Sequence, residues 1–262
     1  MSELVIRNAV KERLARGEVA SSMTVRMARS IEIAGIAATA GFDSLYVDLE
    51  HSSLSLETTS QICIAALNVG LAPFVRVPQL DMVGRILDGG ALGIIVPDVR
   101  TMAQAHAAVR AAKYPPLGER GFASALPQFG FRSLPAKQFC PVLDAATMVI
   151  VQFESAEAVD NAEAIFAVDG VDMALFGTND LTADMGIPGD YENPKVRDAY
   201  ARAIAAAKKH GKHVGIGGLA SKPKLTADFV KMGARYVSTG TDLGFLMSAA
   251  TEQAKQVRAL QA

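Results

Sequence analysis

Cysteine is scarce: Cys63 and Cys140 are the two thiols in 262 residues, far apart in sequence and set in apolar or mixed surroundings. That argues against a disulfide framework and a thiolate zinc site, and makes a reducing cytoplasm the expected compartment. Charge of one sign is lacking too, with 26 Lys and Arg against 27 Asp and Glu and a formal net charge of -1. Such a balance leaves no footprint for nucleic acid or an anionic membrane, so the expected partner is a small molecule. No apolar run has the length a membrane span needs. The opening MSELVIRNAVKERLARGE is charged and helical in period, with no uninterrupted apolar run behind a basic patch, so no signal peptide is expected. What the chain does have is core: 50% hydrophobic and 20% charged residues suffice for one large α/β domain or two small ones.

Short β-branched runs recur at 22–25, 44–48, 72–76, 93–97, 148–152, 173–176, 213–216 and 236–239. Alanine-rich stretches of helical spacing separate them, at 30–39, 56–69, 82–87, 102–112, 156–166, 193–210 and 223–232. Gly41, Gly70, Gly211 and Gly233 follow helix candidates, where a left-handed residue would turn the chain into the next strand. This alternation predicts α/β architecture, a closed (β/α)8 TIM barrel over residues 1–262 as one domain. A doubly wound open sheet would carry glycine after its first strand, and here that turn reads VRMARS. Residues 122–147 break the rhythm with phenylalanines among prolines, and read as an irregular excursion packed on the surface, a lid or an oligomer contact.

In such a barrel the active site forms at the C-terminal ends of the strands, so what ends each run is informative. The second ends in Asp48, Glu50 and His51, the third in Arg76, the fourth in Asp98, the fifth in Gln152 and Glu154, and the sixth in GTND, finishing at Asp180. Residues two apart on a strand share a face, so Gln152 and Glu154 can project together. If the fifth and sixth strands are neighbours, Glu154 and Asp180 can converge as two carboxylate donors, a set suited to a hard octahedral cation such as Mg2+ or Mn2+. The alternative is a helix N-cap at Asp180 and a surface ion pair for Glu154. His51, unlike His106, His210 and His213, directly follows a strand with acids beside it; it suits a general base or is a satisfied loop histidine. Arg76 ends an otherwise apolar strand and needs an anion, either a carboxylate-bearing substrate or a salt bridge to Asp48 or Glu50. The GIGG at 215–218 could offer amides to a phosphate or be a plain tight turn.

The pieces AGFDSLYVDLEH, PFVRVP, ILDGGALGIIVPDV, YPPLGERG, VQFE, VDMALFGTNDLTADMG and MGARYVSTGTD, in this order across about residues 36–242, resemble the metal-dependent class II pyruvate aldolases of the HpcH/HpaI group. Relatives in that group include 4-hydroxy-2-oxoheptanedioate and 2-keto-3-deoxyglucarate aldolases. The resemblance implies a (β/α)8 barrel whose last helix is exchanged with a partner subunit, in a homo-oligomer, commonly a hexamer built as a trimer of dimers. It implies Glu154 and Asp180 as ligands of a divalent metal, Mg2+ or Mn2+ with Co2+ or Zn2+ also compatible. Arg76, Gln152, Asn179 and Asp180 would contact substrate. His51 would be the catalytic base, Arg76 would stabilise developing negative charge, and Asp88 would raise the basicity of the histidine, across a subunit interface. Glu50 would orient a water at the metal, and Asp48 would support the cluster. The activity implied is reversible cleavage of a 4-hydroxy-2-oxo acid to pyruvate, or a related 2-oxo acid, and an aldehyde. Alternatives are a citrate-lyase-like acyl-CoA lyase and a non-catalytic carboxylate-binding barrel. The chain departs from the family pattern at Leu49, at Thr178 and in its first strand, which brings Arg26 and Arg29 toward the acceptor side.

Overall fold

Eight parallel strands close on themselves in chain order, β1 Ala20–Val25, β2 Ser44–Asp48, β3 Ala72–Arg76, β4 Gly93–Val96, β5 Met148–Phe153, β6 Met173–Gly177, β7 His213–Gly217 and β8 Tyr236–Thr241. β8 pairs back onto β1, so the expected (β/α)8 barrel is the observed architecture. This computed structural model describes residues 5–260; residues 1–4, the first of the MSELVIRNAVKERLARGE stretch, and residues 261–262 lie outside the described residues. The strands read as nearly continuous apolar runs because both faces are buried.

Parity along each strand sorts the side chains. Tyr46, Phe74, Ile95, Ile150, Leu175 and Tyr236 belong to one cluster inside the barrel, while Leu45, Val47, Val75, Val149, Val151 and Phe176 pack outward against the helices. The same parity carries Asp48, Arg76, Gln152 and Gly177 to the inner wall at the C-terminal mouth, with Asp48 and Arg76 directly in register. At the other mouth, helix Ala9–Ala15 inserts Val10 and Leu14, one turn apart, into the inner cluster. Asn8 caps that helix, and its Nδ2 donates to the carbonyl of Ala146 at 2.8 Å. Gly41, Gly70, Gly211 and Gly233 all take positive φ, as helix-closing residues.

The excursion over 122–147 is more regular than its sequence suggests, holding a 3-10 turn, Pro127–Phe129, and a helix, Ala136–Ala146. Pro141 inside that helix removes a backbone donor, which is why the segment reads as irregular. It starts after helix Met102–Ala112 and ends at the beginning of β5, so both ends lie at the N-terminal mouth. Phe139 meets Tyr114, Phe122 and Phe129 with ring centroids 6.0 to 6.1 Å apart. Gln128 Nε2 donates to the carbonyls of Leu87 and Ala91 just before β4. Within one chain the excursion is anchored at the end of the barrel away from the strand-end carboxylates, so it does not cover its own barrel's mouth.

Candidate active site

Asp48 is fully buried at the end of β2 and organises the rim. Its Oδ1 and Oδ2 accept from Arg76 Nε at 2.9 Å and Nη2 at 2.6 Å, a bidentate pair. Oδ2 also accepts from Arg26 Nε at 2.6 Å, and Oδ1 from the backbone N–H groups of Glu50 and His51 at 3.1 and 3.2 Å. Burial alone would push the Asp48 carboxyl up, but the hydrogen bond and charge of Arg76, with the His51 amide and Arg26, hold it below the usual carboxylate range. Arg76 is itself 3% exposed; burial disfavours its charge, yet Asp48 and Glu50 hold it more firmly protonated than a free guanidinium. Its Nη1 lies 2.9 Å from Glu50 Oε2, and the guanidinium stands 5.5 Å from the centroid of the Tyr46 ring. The salt-bridge reading of Arg76 is thus realised in the structure, and it places the cation in the cavity wall all the same.

His51 projects into solvent, with Nε2 3.8 Å from Glu50 Oε2. Across the mouth, Glu154 follows β5 on the same parity as Gln152. Its Oε1 accepts from Gln152 Nε2 at 2.6 Å and its Oε2 from the backbone N–H of Asp98 at 3.0 Å. Asp98 sits at φ +47°, an uncommon conformation for a non-glycine residue that aims this amide at the carboxylate. Burial, reinforced by the nearby charge of Asp180, pushes the Glu154 carboxyl up to about 7 against the opposing Asp98 hydrogen bond. Asp180 lies in the first turn of helix Thr178–Asp184. That helix is seated by Thr178, whose Oγ1 donates to the carbonyl of Gly217 at 2.6 Å and meets Tyr200 Oη at 2.8 Å. Asn179 Oδ1 accepts from Tyr191 Oη at 2.7 Å.

A cavity of about 820 Å³ at the strand ends is lined by His51, Arg76, Gln152, Asn179 and Asp180, together with Arg26, Tyr191, Ser238 and Thr239. Beside it, an acidic cleft of about 280 Å³ is lined by Glu50, His51, Asp98, Arg100, Glu154, Asp180 and Asp184. His51 and Asp180 border both. Asp88 is the exception among the expected site residues. It ends helix Val83–Asp88, at the N-terminal mouth, and accepts from Arg120 Nη2 at 2.7 Å. Within one chain it does not reach His51. Arg29 also turns away, donating to the Met27 carbonyl and to Ser53 Oγ. Strand-end spacing did not single out Asp98 as an amide donor, nor Tyr191, which reaches Asn179 from 12 residues on.

Among the described residues no three His, Cys, Asp or Glu side chains converge into a metal cage. The donor chemistry nevertheless fits a hard cation that takes its remaining ligands from substrate and water. Glu154 and Asp180 supply carboxylate oxygens, their mutual repulsion marks a place for positive charge, and Gln152 keeps a buried Oε1 without a hydrogen-bond partner.

Comparison with known proteins matches residues 22–249 to the family described as HpcH/HpaI aldolase/citrate lyase. A 4-hydroxy-4-methyl-2-oxoglutarate aldolase of Hapsidospora irregularis is 39% identical, over 97% of this chain and 96% of its own. A 5-keto-4-deoxy-D-glucarate aldolase of Klebsiella pneumoniae is 35% identical, over 95% and 96%. The crystal structure of an HpcH/HpaI aldolase from Desulfitobacterium hafniense superposes with a TM-score of 0.90 at 30% identity, covering 96% of this chain and 97% of that one. A citrate lyase beta subunit from M. tuberculosis shares the fold alone, with a TM-score of 0.54 at 16% identity. The motif resemblance and the barrel thus agree with the matches along nearly the whole chain, which belongs to the HpcH/HpaI aldolase/citrate lyase family and is a lyase of the aldolase kind.

Proposed function

We propose that this enzyme is a divalent-metal-dependent aldolase that reversibly cleaves a 4-hydroxy-2-oxo acid into pyruvate, or a related 2-oxo acid, and a carbonyl acceptor. The observation that carries the proposal is the opening of Glu154 and Asp180 onto the same mouth as His51 and Arg76, in a barrel of this family. Glu154 and Asp180 would hold the cation, Mg2+ or Mn2+, with Co2+ or Zn2+ as substitutes. Bound there, it would serve as a Lewis acid toward the oxygens of the 2-oxo acid. The chain's own residues divide the remaining work. Gln152, Asn179 and Asp180 position the 2-oxo acid, and the Arg76 guanidinium offers fixed positive charge to the oxygen on which negative charge develops. His51 exchanges a proton with the 4-hydroxyl, directly or through a water that Glu50 orients. Asp48 fixes Arg76. Asp88 would act on the histidine of a neighbouring subunit, which makes its role conditional on assembly.

A homo-oligomer, specifically a hexamer arranged as a trimer of dimers, is part of this proposal. Helix Asp242–Ala259 supports it by exposing Leu243, Phe245, Leu246, Met247 and Val257, an apolar set suited to exchange with a partner. We place the enzyme in the cytoplasm; no helix of the described residues is long and apolar enough to cross a membrane.

The test is metal removal. Chelation should lower pyruvate release from 4-hydroxy-2-oxo acids at least about 1,000-fold, the scale of several kcal/mol of lost charge stabilisation, and Mg2+ or Mn2+ should restore it. Release that persists unchanged in chelator would remove the metal from the reaction. Pyruvate that binds without exchanging its methyl protons in D2O would favour the non-catalytic barrel instead.

Gly177 supports the placement of Glu154. A Cβ built there would collide with Glu154 Oε1 and stand 2.7 Å from its Cγ. Gly177→Ala is therefore expected to displace the carboxylate, lowering kcat by about 100-fold, as misplacement near 1 Å can do. The barrel should stay folded by circular dichroism, and unchanged kcat would show that the carboxylate position is not critical.

A further inference from the structure

Arg26 and Arg76 are the two guanidinium groups lining the large cavity, and they are committed very differently. Arg76 directs Nε and Nη2 to Asp48 and Nη1 to Glu50. Arg26 gives only Nε to Asp48, and its two terminal nitrogens make no hydrogen bond among the described residues. Its side chain is 39% exposed, beside the cavity. The residue is also held at its backbone. Asp242, 6% exposed, accepts the N–H groups of Arg26, Met27 and Ala28 at 3.1, 2.9 and 2.7 Å. A guanidinium fixed at its main chain by one carboxylate and at Nε by another presents a pre-oriented fork, the geometry that takes a carboxylate in two parallel hydrogen bonds.

The location says which part of a substrate it meets. Arg26 follows β1, which is flanked by β2 and β8, whereas Glu154 and Asp180 follow β5 and β6 across the closed barrel. A 2-oxo acid held at Glu154 and Asp180 would leave the β8–β1 side for the carbonyl acceptor. Thr24 and Ser238, whose hydroxyls meet at 3.0 Å, make that side small and polar. Because Nε and Nη2 of Arg76 face Asp48 and its Nη1 faces Glu50, Arg26 is the guanidinium of this cavity whose terminal N–H groups remain for a ligand carboxylate.

Resting on the aldolase reading, we propose that Arg26 determines acceptor specificity by binding a carboxylate attached to the acceptor carbonyl carbon, so that preferred substrates are 4-hydroxy-2-oxo diacids with the second carboxylate on C4. The test compares kcat/KM for pyruvate release from 4-hydroxy-2-oxoglutarate and from 4-hydroxy-2-oxopentanoate, its analogue with methyl in place of that carboxylate, in the Mg2+-loaded enzyme. The wild type should prefer the diacid. Arg26→Gln should lower the diacid-to-monoacid ratio about 100-fold, the scale of one charge-assisted bidentate pair, and Arg26→Lys, which keeps charge without the fork, should fall between. Losses in parallel on both substrates would overturn the assignment by showing that Arg26 acts through Asp48 and Arg76. An unchanged ratio, or an equal preference for a substrate bearing a phosphate there, would overturn it as well. Release of pyruvate from neither substrate by the wild type would instead remove the aldolase reading on which it rests.

Discussion

Glu154→Gln is expected to yield a protein that is at once less active and, without metal, more stable at alkaline pH. Burial holds the Glu154 carboxyl near 7 against an ordinary value of 4.5, so the folded state prefers it neutral. A raised carboxyl favours folding fully below its unfolded value and loses that contribution as pH rises through its folded value. The metal-free enzyme should therefore weaken between about pH 4.5 and 7, by roughly 3 kcal/mol at 1.36 kcal/mol per unit. Glutamine removes the charge but gives up one acceptor, since the carboxylate takes hydrogen bonds from both Gln152 and Asp98. Losing that bond costs about 1 kcal/mol, leaving a net gain on the order of 2 kcal/mol at pH 8. At pH 4.5 the gain should vanish. Turnover should meanwhile drop at least about 1,000-fold, because the neutral amide removes one of the two negative charges that would hold the cation. Urea unfolding in chelator at the two pH values, beside pyruvate release with Mg2+, checks both halves. A variant no more stable than wild type at pH 8 would reject the buried, electrostatically strained carboxylate, and retained turnover would reject its place in the site.

The coupling of strain to site explains which features were legible in the sequence. Strand positions were readable because β-branched runs buried on both faces leave a continuous apolar signal; β2 and β3 fall on the residues that the runs mark, 44–48 and 72–76. Parity then brings Asp48, Arg76, Gln152 and Glu154 to one mouth, since period-two alternation survives into the first residues beyond a strand. What escaped lies where local pattern and tertiary structure part. Helix Ala136–Ala146 carries an internal proline, so its local signal opposes the helix that the Tyr114, Phe129 and Phe139 cluster stabilises. The 156–166 stretch breaks at Asn161, whose Nδ2 turns to the Arg100 carbonyl, a contact no periodicity encodes. Asp98 is invisible as an amide donor because its role depends on a positive φ. Asp88 is a different case: its motif stands out in sequence, but topology sends it to the opposite mouth of its own barrel.

Asp48→Ala is expected to produce the largest loss of stability at the site. The carboxylate has no exposed surface and balances two guanidinium groups while taking two backbone amides. Removing it strands Arg76, which is 3% exposed, with Glu50 as its one remaining carboxylate partner. Breaking a buried ion pair by removing one partner costs about 3–5 kcal/mol. Asp48→Asn should lose nearly as much, because the amide nitrogen would face a guanidinium donor where an oxygen accepted. The double variant Asp48→Ala, Arg76→Leu should recover a large part of the deficit, since it removes the stranded charge together with its former partner; that non-additivity separates an ion-pair origin from a simple cavity. The pH dependence gives a second check. Asp48 lies below its ordinary value of 3.8 in the folded protein, so its contribution is present above 3.8 and is lost only as pH falls through the lower folded value. The gap between wild type and Asp48→Ala should hold from neutrality down to about pH 4 and close in stronger acid. Urea unfolding at pH 7, at pH 4 and in stronger acid measures it: a loss below about 1 kcal/mol at pH 7, or a double variant whose deficit is the sum of the singles, would show that the buried Asp48–Arg76 pair does not hold the rim together.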